Sequence, residues 1–421
     1  MMDDTEKNRI WQKITEYAEA SASELSELRR DFHRHPEPGW MEFRTSGRIA
    51  DLLHLYGCDE VLTDQQVCKA EARMGVPEGG GMTGVIGMLH CGMGPTVALR
   101  FDIDALPVRE CEELDHFPAQ EGFRSEHAGY MHACGHDGHI TVGLGTAKLL
   151  CQMREQLHGT VKFIFQPAEE GVRGARAIVE NGHLEDVDFL LGAHMYGGSE
   201  QHPCGICITA GHGLATTKLD VDFHGKASHA AAAPEQGNNA LMAAATAVLN
   251  LQAIPRHGKA DTRINVGKLV AGSGRNIICD AAHMELEVRG KTSEANQYMQ
   301  TYAERIVKCA AEMHGCTVET HLMGTALSSS NSSELNERLE QVCAERLKIP
   351  VWRDQEAFSN VSEDFSCMSE AVRSHGGQAC YFLNVSRCSA PLHNDRFDFQ
   401  EKALMNGVKA FCGVTAELLK T

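Results

Sequence analysis

Apolar residues follow two alternating patterns in the first half of the chain, one at helical spacing and one in short continuous runs. Helical spacing predicts helices over 6–30, 44–56, 139–151 and 174–181. Short apolar runs predict buried strands over 82–90, 96–103, 161–165 and 188–194. Because strands and helices alternate, we expect an α/β sheet flanked by helices.

The pattern changes at about residue 211. Strands with alternating apolar and polar positions are predicted over 216–225, 263–272, 281–290 and 317–323, with helices over 238–253 and 296–314. These elements form two β-α-β-like halves and favour a separate, smaller α+β domain over 213–326. We therefore predict that this domain is inserted into a catalytic domain formed by 1–212 and 327–421.

Composition and charge narrow the possible partners. A length of 421 residues favours two domains, and a net charge of −18 disfavours binding to phosphate backbones, so no nucleic-acid partner is expected. No apolar run approaches the roughly 20 residues that span a bilayer, and MMDDTEKNRI lacks the pattern of a signal peptide. We expect no membrane association, a cytoplasmic location, and reduced thiols at most of the 16 cysteines.

Acidic and imidazole side chains follow the ends of three predicted strands. Asp102 and Asp104 end one strand, Glu169 and Glu170 follow the next, and His194 ends a third. In α/β sheets, ligands bind beyond the carboxyl ends of the strands. We expect these residues to share one rim of the sheet.

The run HACGHDGH (132–139) is the densest cluster of metal-ligand side chains. Cys134 and His136 are two residues apart, and thiolate and imidazole are strong ligands for zinc-like divalent ions. Asp137 is expected to orient an imidazole without binding the metal itself. The alternative is a surface loop rich in histidine that binds no metal.

The motif QPAEEG (166–171) places two carboxylates together at the end of an apolar strand. A cation makes one of them tolerable as a ligand, which leaves the other free to act as a general base. The alternative is a solvated acidic turn that caps the following helix. His194 on the next strand is either a satisfied polar residue or a ligand, and its place one β-α unit after Glu170 favours a ligand. His393 in PLHND is expected to supply a further ligand, because two ions need more than four.

Other polar positions support two interpretations each. Asp102 and Asp104 share a strand face and are expected to orient ligands, although Asp104 is also placed to cap a turn. His229 lies where it can donate to a developing oxyanion, or it is a structural residue at a strand end. Arg275, Asn276 and Arg289 are candidates for holding an acidic substrate, or they are solvated side chains.

Six motifs occur in an order that resembles one metal-dependent amidohydrolase/carboxypeptidase family, which includes aminoacylases, hippurate hydrolases and indole-acetyl-amino-acid hydrolases. They are HACGHDGH, QPAEEG, LGAH, ASHAA followed by P-x-x-G-x-N-A, SEDF (362–365) and LHN (392–394). The likeness extends from RRDFHRHPEPGWMEFRT (29–45) to FDF (397–399). It implies a zinc-peptidase-like catalytic α/β domain with an inserted dimerisation or lid domain.

The resemblance also implies a cofactor of two divalent metal ions, Mn or Zn. Cys134 would bridge the two ions, with His136, Glu170, His194 and His393 completing their shells.

It further implies roles for residues that bind no metal. Glu169 matches the general base, and His229 matches a histidine that reaches into the partner subunit's site. Asn276 and Arg289 match positions that hold the substrate carboxylate.

Within that family, the likeness is greatest to members that act on p-aminobenzoyl-glutamate, a folate breakdown product. It is carried by ARMGVP (72–77), IFQPAEEGVRGARA (164–177), RINVGKLVAGSGRNI (263–277) and HNDRFDF (393–399). We expect hydrolysis of a small N-acyl amino acid by a homodimer or by a heterodimer with a related subunit. The alternatives are a deacylase for other N-acyl or N-acetyl amino acids and a non-catalytic partner subunit.

Overall fold

The protein divides into two compact units in a computed structural model that describes residues 4–211, 213–357 and 359–420. The first unit comprises the described residues of 1–212, 329–359 and 367–421, and the second comprises those of 213–328 and 360–366. The sequence pattern had assigned residues 327, 328 and 360–366 to the catalytic domain, whereas they belong to the second unit.

The strands and helices of the described residues are numbered in chain order. The strands are β1 (Glu60–Thr63), β2 (Val85–His90), β3 (Thr96–Asp102), β4 (Thr160–Gln166), β5 (Phe189–Gly197), β6 (Gly205–Ile208), β7 (Ala215–His224), β8 (Thr262–Ala271), β9 (Ala281–Gly290), β10 (Thr317–Ala326), β11 (Val351–Arg353) and β12 (Gln378–Ser386). The helices are α1 (Asp4–Ala20), α2 (Ala22–Arg34), α3 (Phe43–Tyr56), α4 (Phe117–Gln120), α5 (His136–Gln152), α6 (Ala175–Val179), α7 (Ala240–Gln252), α8 (Ser293–Met313), α9 (Ser333–Gln341), α10 (Phe365–Ser374) and α11 (Lys402–Leu418).

The first unit is built on an eight-stranded sheet with the order β1-β2-β4-β3-β5-β12-β6-β11. Its centre, β4-β3-β5-β12, is parallel, whereas β2 pairs antiparallel with β4 and β6 pairs antiparallel with β12. The predicted α/β class is therefore confirmed. The carboxyl ends of the parallel strands lie at one edge, which brings the segments after β3, β4 and β5 together.

Helix α5 is buried on nearly every side, against the sheet and against α2, α3 and α11. Two glycines permit this packing. A Cβ at Gly143 would lie 2.6 Å from the Phe101 ring, and a Cβ at Gly138 would lie 2.6 Å from the Phe399 ring. Because a larger residue would clash there, glycine lets the helix approach its neighbours closely. The helix begins at His136, so this packing fixes the position of the HACGHDGH motif.

The second unit is an antiparallel four-stranded sheet with the order β10-β7-β9-β8. Strands β7 and β9 alternate buried and partly exposed residues, and the buried face packs against α7 and α8. The chain order is β-α-β-β-α-β, with β9 lying between β7 and β8. This is a split β-α-β arrangement, which agrees with the two predicted halves.

The helix predicted over 6–30 is two helices, α1 and α2, which meet at Ser21. Serine competes for backbone hydrogen bonds and favours helix ends over helix interiors, which accounts for the break. Among the helices of the described residues, none is both long and apolar enough to cross a membrane.

Candidate metal and catalytic site

The predicted rim brings the chain segments after two neighbouring strands into contact. The backbone N–H groups of Glu169 and Glu170 donate to the two carboxylate oxygens of Asp104, at 3.0 and 2.9 Å. Asp104 follows β3, and the two glutamates follow β4, its parallel neighbour in the sheet. Asp104 therefore holds the backbone of both glutamates and sets where their side chains project.

The thiol of Cys134 lies at the centre of the donor atoms. Its Sγ is 3.4 Å from Nε2 of His194 and 3.3 Å from Nε2 of His393. Two donor groups share this sulfur, one with His136 and His194 and one with Glu170 and His393, and the ligand atoms of each lie within 4.8 Å of one another. Cys134 therefore belongs to two sets of donor atoms, each of which could hold a divalent cation.

Two of the histidines are oriented by backbone carbonyls. Nδ1 of His136 donates to the Asp104 carbonyl at 2.8 Å, and Nδ1 of His194 donates to the Met195 carbonyl at 2.6 Å. A carbonyl oxygen only accepts, so each Nδ1 carries a proton, and in the neutral ring the lone pair then lies on Nε2. This is the form in which imidazole binds metal.

Nε2 of His136 and Oε1 of Glu170 are buried polar atoms of this site without a hydrogen-bond partner among the described residues. Buried polar atoms are nearly always paired, so two such atoms in donor groups that lie within 4.8 Å of one another show that these residues fit a bound cation. The donor set of thiol, imidazole and carboxylate fits zinc-like divalent ions.

The electrostatics of the site also favour cations. Burial raises the pKa of Glu170 to about 7, with Asp104 acting in the same direction and His136 opposing it. Burial disfavours the charged form of His136, but Asp102, Asp104 and Glu170 outweigh it and raise its pKa to about 10. Buried acidic groups thus crowd one small space, which a bound cation would neutralise.

Strained backbone flanks the donors. Ala168, immediately before Glu169, has a φ of 51°, Val172 has a φ of 61°, and His393 has a φ of 66°. Left-handed conformations are costly for residues other than glycine and persist where surrounding contacts enforce them. For His393 one such contact is its backbone N–H, which donates to the carbonyl of Ala133 at 2.8 Å.

Asp102 and His139 form a buried support behind His136. His139 donates from Nδ1 to Asp102 and accepts at Nε2 from the backbone N–H of Met195, at 2.7 Å for the latter. Both ring nitrogens of His139 make hydrogen bonds. The side chain therefore supports the site and offers no nitrogen to a metal ion. Asp102 Oδ1 also lies 3.8 Å from Nε2 of His136. The orienting role predicted for Asp102 therefore includes His139, which the sequence analysis did not single out.

Asp137 contacts different partners from those predicted. Its carboxylate accepts from Nε of Arg29 and from Nδ1 of His33, both at 2.7 Å, and all three side chains are fully buried. It was expected to orient a metal-binding imidazole, but His33 is not among the donor residues. Asp137 lies in the first turn of α5 and Arg29 lies in α2, so this ion pair fixes the start of α5, at His136, against α2.

Glu42 is a further supporting residue without a predicted role. Its carboxylate accepts from the backbone N–H of Ala168 at 2.8 Å and from the Thr83 hydroxyl at 2.7 Å. Burial, with Asp104 nearby, raises the pKa of Glu42 to about 8. The only sequence signal was its place within RRDFHRHPEPGWMEFRT, a segment that carried the resemblance but no assigned chemistry.

The remaining predicted residues lie in the second unit. The backbone N–H of Ala230, next to His229, donates to the carbonyl of Asn276 at 3.0 Å, which brings these two predicted residues together. Both are exposed. Arg289 instead binds Glu287 of its own strand through Nε and Nη2, each at 3.1 Å.

Similarity to known proteins indicates which chemistry these donor atoms serve. The profile of Peptidase family M20/M25/M40 matches residues 98–417. The chain is 39% identical to one of the subunits of p-aminobenzoyl-glutamate hydrolase from Escherichia coli (strain K12), over 94% of this chain and 96% of that protein. It is also 39% identical to indole-3-acetyl-aspartic acid hydrolase of Enterobacter agglomerans, again over 94% and 96%.

Two solved structures are also similar to this chain in fold and sequence. The aminobenzoyl-glutamate utilization protein from Klebsiella pneumoniae matches with a TM-score of 0.79 and 34% identity, covering 96% of this chain and 97% of that one. The Bacillus subtilis YXEP protein, a dinuclear metal-binding peptidase, matches with a TM-score of 0.68 and 29% identity, covering 95% and 99%.

The fold, the donor atoms and these relatives define a metal-dependent amidohydrolase. The chain belongs to Peptidase family M20/M25/M40. The family resemblance stated from the motifs is confirmed, including the likeness to p-aminobenzoyl-glutamate hydrolases.

Proposed function

We propose that this protein hydrolyses the amide bond of an N-acyl amino acid whose amino-acid half is acidic, with p-aminobenzoyl-glutamate as the substrate. The observation that carries the chemistry is the shared thiol of Cys134, with the carboxylates of Glu169 and Glu170 beside it. The two relatives at 39% identity support an acidic amino acid, because one is named for a glutamate conjugate and the other for an aspartate conjugate.

The metal ligands in this proposal are Cys134, His136, Glu170, His194 and His393. Two divalent ions, when bound, lower the pKa of a water molecule and polarise the amide carbonyl. Thiolate and imidazole favour zinc, whereas carboxylate is also acceptable to manganese. The orphaned atoms of His136 and Glu170 support this ligand set.

Glu169 is the general base in this proposal. It takes the proton of the attacking water and returns it to the amine nitrogen as the carbon–nitrogen bond breaks. Three observations support this role. Its side chain is only 7% exposed, its backbone is held by Asp104, and a carboxylate oxygen lies within 4.8 Å of the donors of His136 and Glu170.

His229 is proposed to act in the site of a partner subunit, where it stabilises the oxyanion. Its Nδ1 accepts from the backbone N–H groups of Ala231 and Ala232, at 3.2 and 3.1 Å. The neutral ring then carries its proton on Nε2, on an exposed side chain. A donor at Nε2 is what a developing oxyanion requires. The proposed role also needs a second subunit, in a homodimer or a heterodimer.

Asn276 and Arg289 are proposed to hold substrate carboxylates. Asn276 lies beside His229 on the neighbouring segment, which supports its role. Arg289 must first release its bidentate contact with Glu287. The substrate carboxylate therefore competes with the Glu287 carboxylate for this guanidinium. We also propose a cytoplasmic location, because none of the 16 cysteines, all of which lie in the described residues, is joined in a disulfide.

The decisive experiment compares wild type, Glu169→Gln and the control Glu155→Gln, whose side chain is exposed, each loaded with zinc or with manganese. The substrates are p-aminobenzoyl-glutamate, indole-acetyl-aspartate and a set of N-acetyl amino acids. We expect Glu169→Gln to keep both metals and lose nearly all of its kcat on p-aminobenzoyl-glutamate, while the control matches wild type.

Other results would change the assignment. Preference for N-acetyl amino acids over p-aminobenzoyl-glutamate would identify a deacylase of other specificity. Metal binding without turnover of any of these substrates would indicate a non-catalytic partner subunit. Near-normal kcat in Glu169→Gln would remove Glu169 as the base.

A further inference from the structure

Two thiols face each other at the ends of helices α3 and α5, outside the site described above. Sγ of Cys58 lies 3.9 Å from Sγ of Cys151, although 93 residues separate them in the chain. Both residues are half-buried. Neither thiol has a role in the hydrolytic chemistry.

Arg154 joins the two chain segments that carry these thiols. It follows Cys151 by three residues, and its guanidinium donates to the Gly57 carbonyl at 2.7 Å and to the Asp59 carboxylate at 2.8 Å. Gly57 and Asp59 are the neighbours of Cys58 on either side. Arg154 therefore fixes the relative positions of the two chain segments that carry the cysteines, and it places a positive charge beside them.

The backbone at Cys58 is already fixed. Gly57 ends α3 in the left-handed conformation, with a φ of 90°, and the N–H of Cys58 donates to the Leu53 carbonyl at 3.1 Å. This is the Schellman arrangement that closes a helix end. A disulfide needs its sulfurs about 2.05 Å apart, so the two Sγ atoms must approach each other from the 3.9 Å at which they lie.

We propose that Cys58 and Cys151 form a redox-modification site, which closes to a reversible disulfide by exchange with a small-molecule disulfide such as oxidised glutathione. The Cys151 thiolate attacks one sulfur of the reagent, forming a mixed disulfide and expelling one thiolate. Cys58 then loses its proton and attacks the sulfur of Cys151, which expels the second thiolate. The two protein protons end on the two released thiols, so two protein thiols and one disulfide give one protein disulfide and two small thiols.

The charges around the pair decide which sulfur reacts first. Either sulfur can donate in the contact between the two thiols; when Cys58 donates, the hydrogen bond lowers the pKa of Cys151, and Arg154 acts in the same direction. The same pairing raises the pKa of Cys58, with burial adding to it. Because thiolate is the nucleophile, Cys151 attacks and Cys58 resolves.

Cys91 provides an internal comparison. It is also half-buried, and Arg154 and Cys151 both influence it, but burial raises the pKa of Cys91 to about 11. It therefore stays a thiol under conditions in which Cys151 reacts. The difference between Cys91 and Cys151 lies in the paired thiol of Cys58.

The disulfide would tie the end of α3 to the end of α5, the helix that begins at His136. A bond across 93 residues removes many conformations of the unfolded chain, so the oxidised protein unfolds at a higher temperature than the reduced protein.

The test treats the metal-loaded, full-length protein with oxidised glutathione in the absence of oxygen, then alkylates remaining thiols and maps peptides by mass spectrometry. We expect a Cys58–Cys151 crosslink that dithiothreitol reverses, together with a higher thermal midpoint. In Cys58→Ser the Cys151–glutathione mixed disulfide should accumulate, and in Cys151→Ser position 58 should stay unmodified. Cys91→Ser should behave as wild type.

Serine replaces the thiol with little change in size, and matching midpoints of the reduced variants and reduced wild type would show that they fold. The proposal is overturned if Cys58 and Cys151 remain alkylatable while the exposed Cys309 is glutathionylated. It is equally overturned if Cys151 is modified to the same extent with and without Cys58 and no crosslink forms.

Discussion

Nε2 of His393 lies 3.3 Å from Sγ of Cys134, although 259 residues separate them in the sequence. The strained backbone at His393, with a φ of 66°, is held by the hydrogen bond to Ala133, the residue before Cys134. The donor atoms around Cys134 thus include one from a segment near the C-terminal end of the chain. This relationship makes His393 the clearest single test of the metal site.

Replacing His393 with alanine should remove one cation from the site. We expect the metal content to fall from two ions to one per chain and kcat to fall by about 100-fold or more, since loss of even an outer partner typically costs 10- to 100-fold. Elemental analysis and steady-state kinetics measure both. His54→Ala, an exposed histidine of α3, is the control and should change neither. Two ions and full activity in His393→Ala would exclude it as a ligand.

Asp104→Asn should disturb catalysis while leaving the fold intact. Asparagine has one acceptor oxygen, so the amide of Glu169 or that of Glu170 loses its partner. We expect kcat to fall roughly 10- to 100-fold, with a smaller effect on KM, because the orientation of the base and ligand changes. Kinetics with circular dichroism tests this, and the exposed Asp51→Asn is the control. An unchanged kcat would show that Asp104 does not position the glutamates.

Arg29→Met should destabilise the protein strongly. Arg29 is fully buried and pairs with Asp137 at 2.7 Å and Asp398 at 2.6 Å, so its loss leaves buried carboxylates without a counter-charge. We expect a loss of about 3–5 kcal/mol in the free energy of unfolding, measured by urea titration. The neighbouring Arg30→Met breaks a partly exposed pair with Glu401 and should cost about 1 kcal/mol or less. Equal losses in the two variants would contradict this account.

His33 should make stability depend on pH above neutrality. Burial and Arg29 oppose its charge, but Asp137 and Glu110 outweigh them and raise the pKa of His33 from 6.5 to about 9. A raised folded pKa gives stability that is fully present below pH 6.5 and lost as the pH rises to about 9. At about 1.4 kcal/mol per pKa unit, the loss is about 3 kcal/mol.

The measurement is the free energy of unfolding between pH 6 and 10 for wild type and His33→Gln. Wild type should lose stability through this window, whereas the variant, which has no titrating ring at this position, should show a flatter profile. Parallel profiles for the two proteins would show that His33 does not hold a proton in the folded state.

Much of this protein was predictable because local sequence patterns encode local structure. The strands ending at Asp102, Gln166 and in the segment of His194 were recognisable as apolar runs, and parallel strands place their carboxyl ends at one edge. The contact of Asp104 with Glu169 and Glu170 follows from that rule. The class of chemistry was also readable, since thiol, imidazole and paired carboxylates in this order suit few tasks other than binding divalent cations.

The tertiary structure alone decided the contacts between distant segments. The sequence pattern supplied no distance between His393 and Cys134, and it named no partner for Asp137, because its contacts Arg29 and His33 lie more than 100 residues away. Spacing along a chain constrains neighbours within a helix turn or a strand, whereas long-range pairs depend on how helices pack over the sheet. The sequence therefore determined which residues bear chemistry, and packing determined which of them meet.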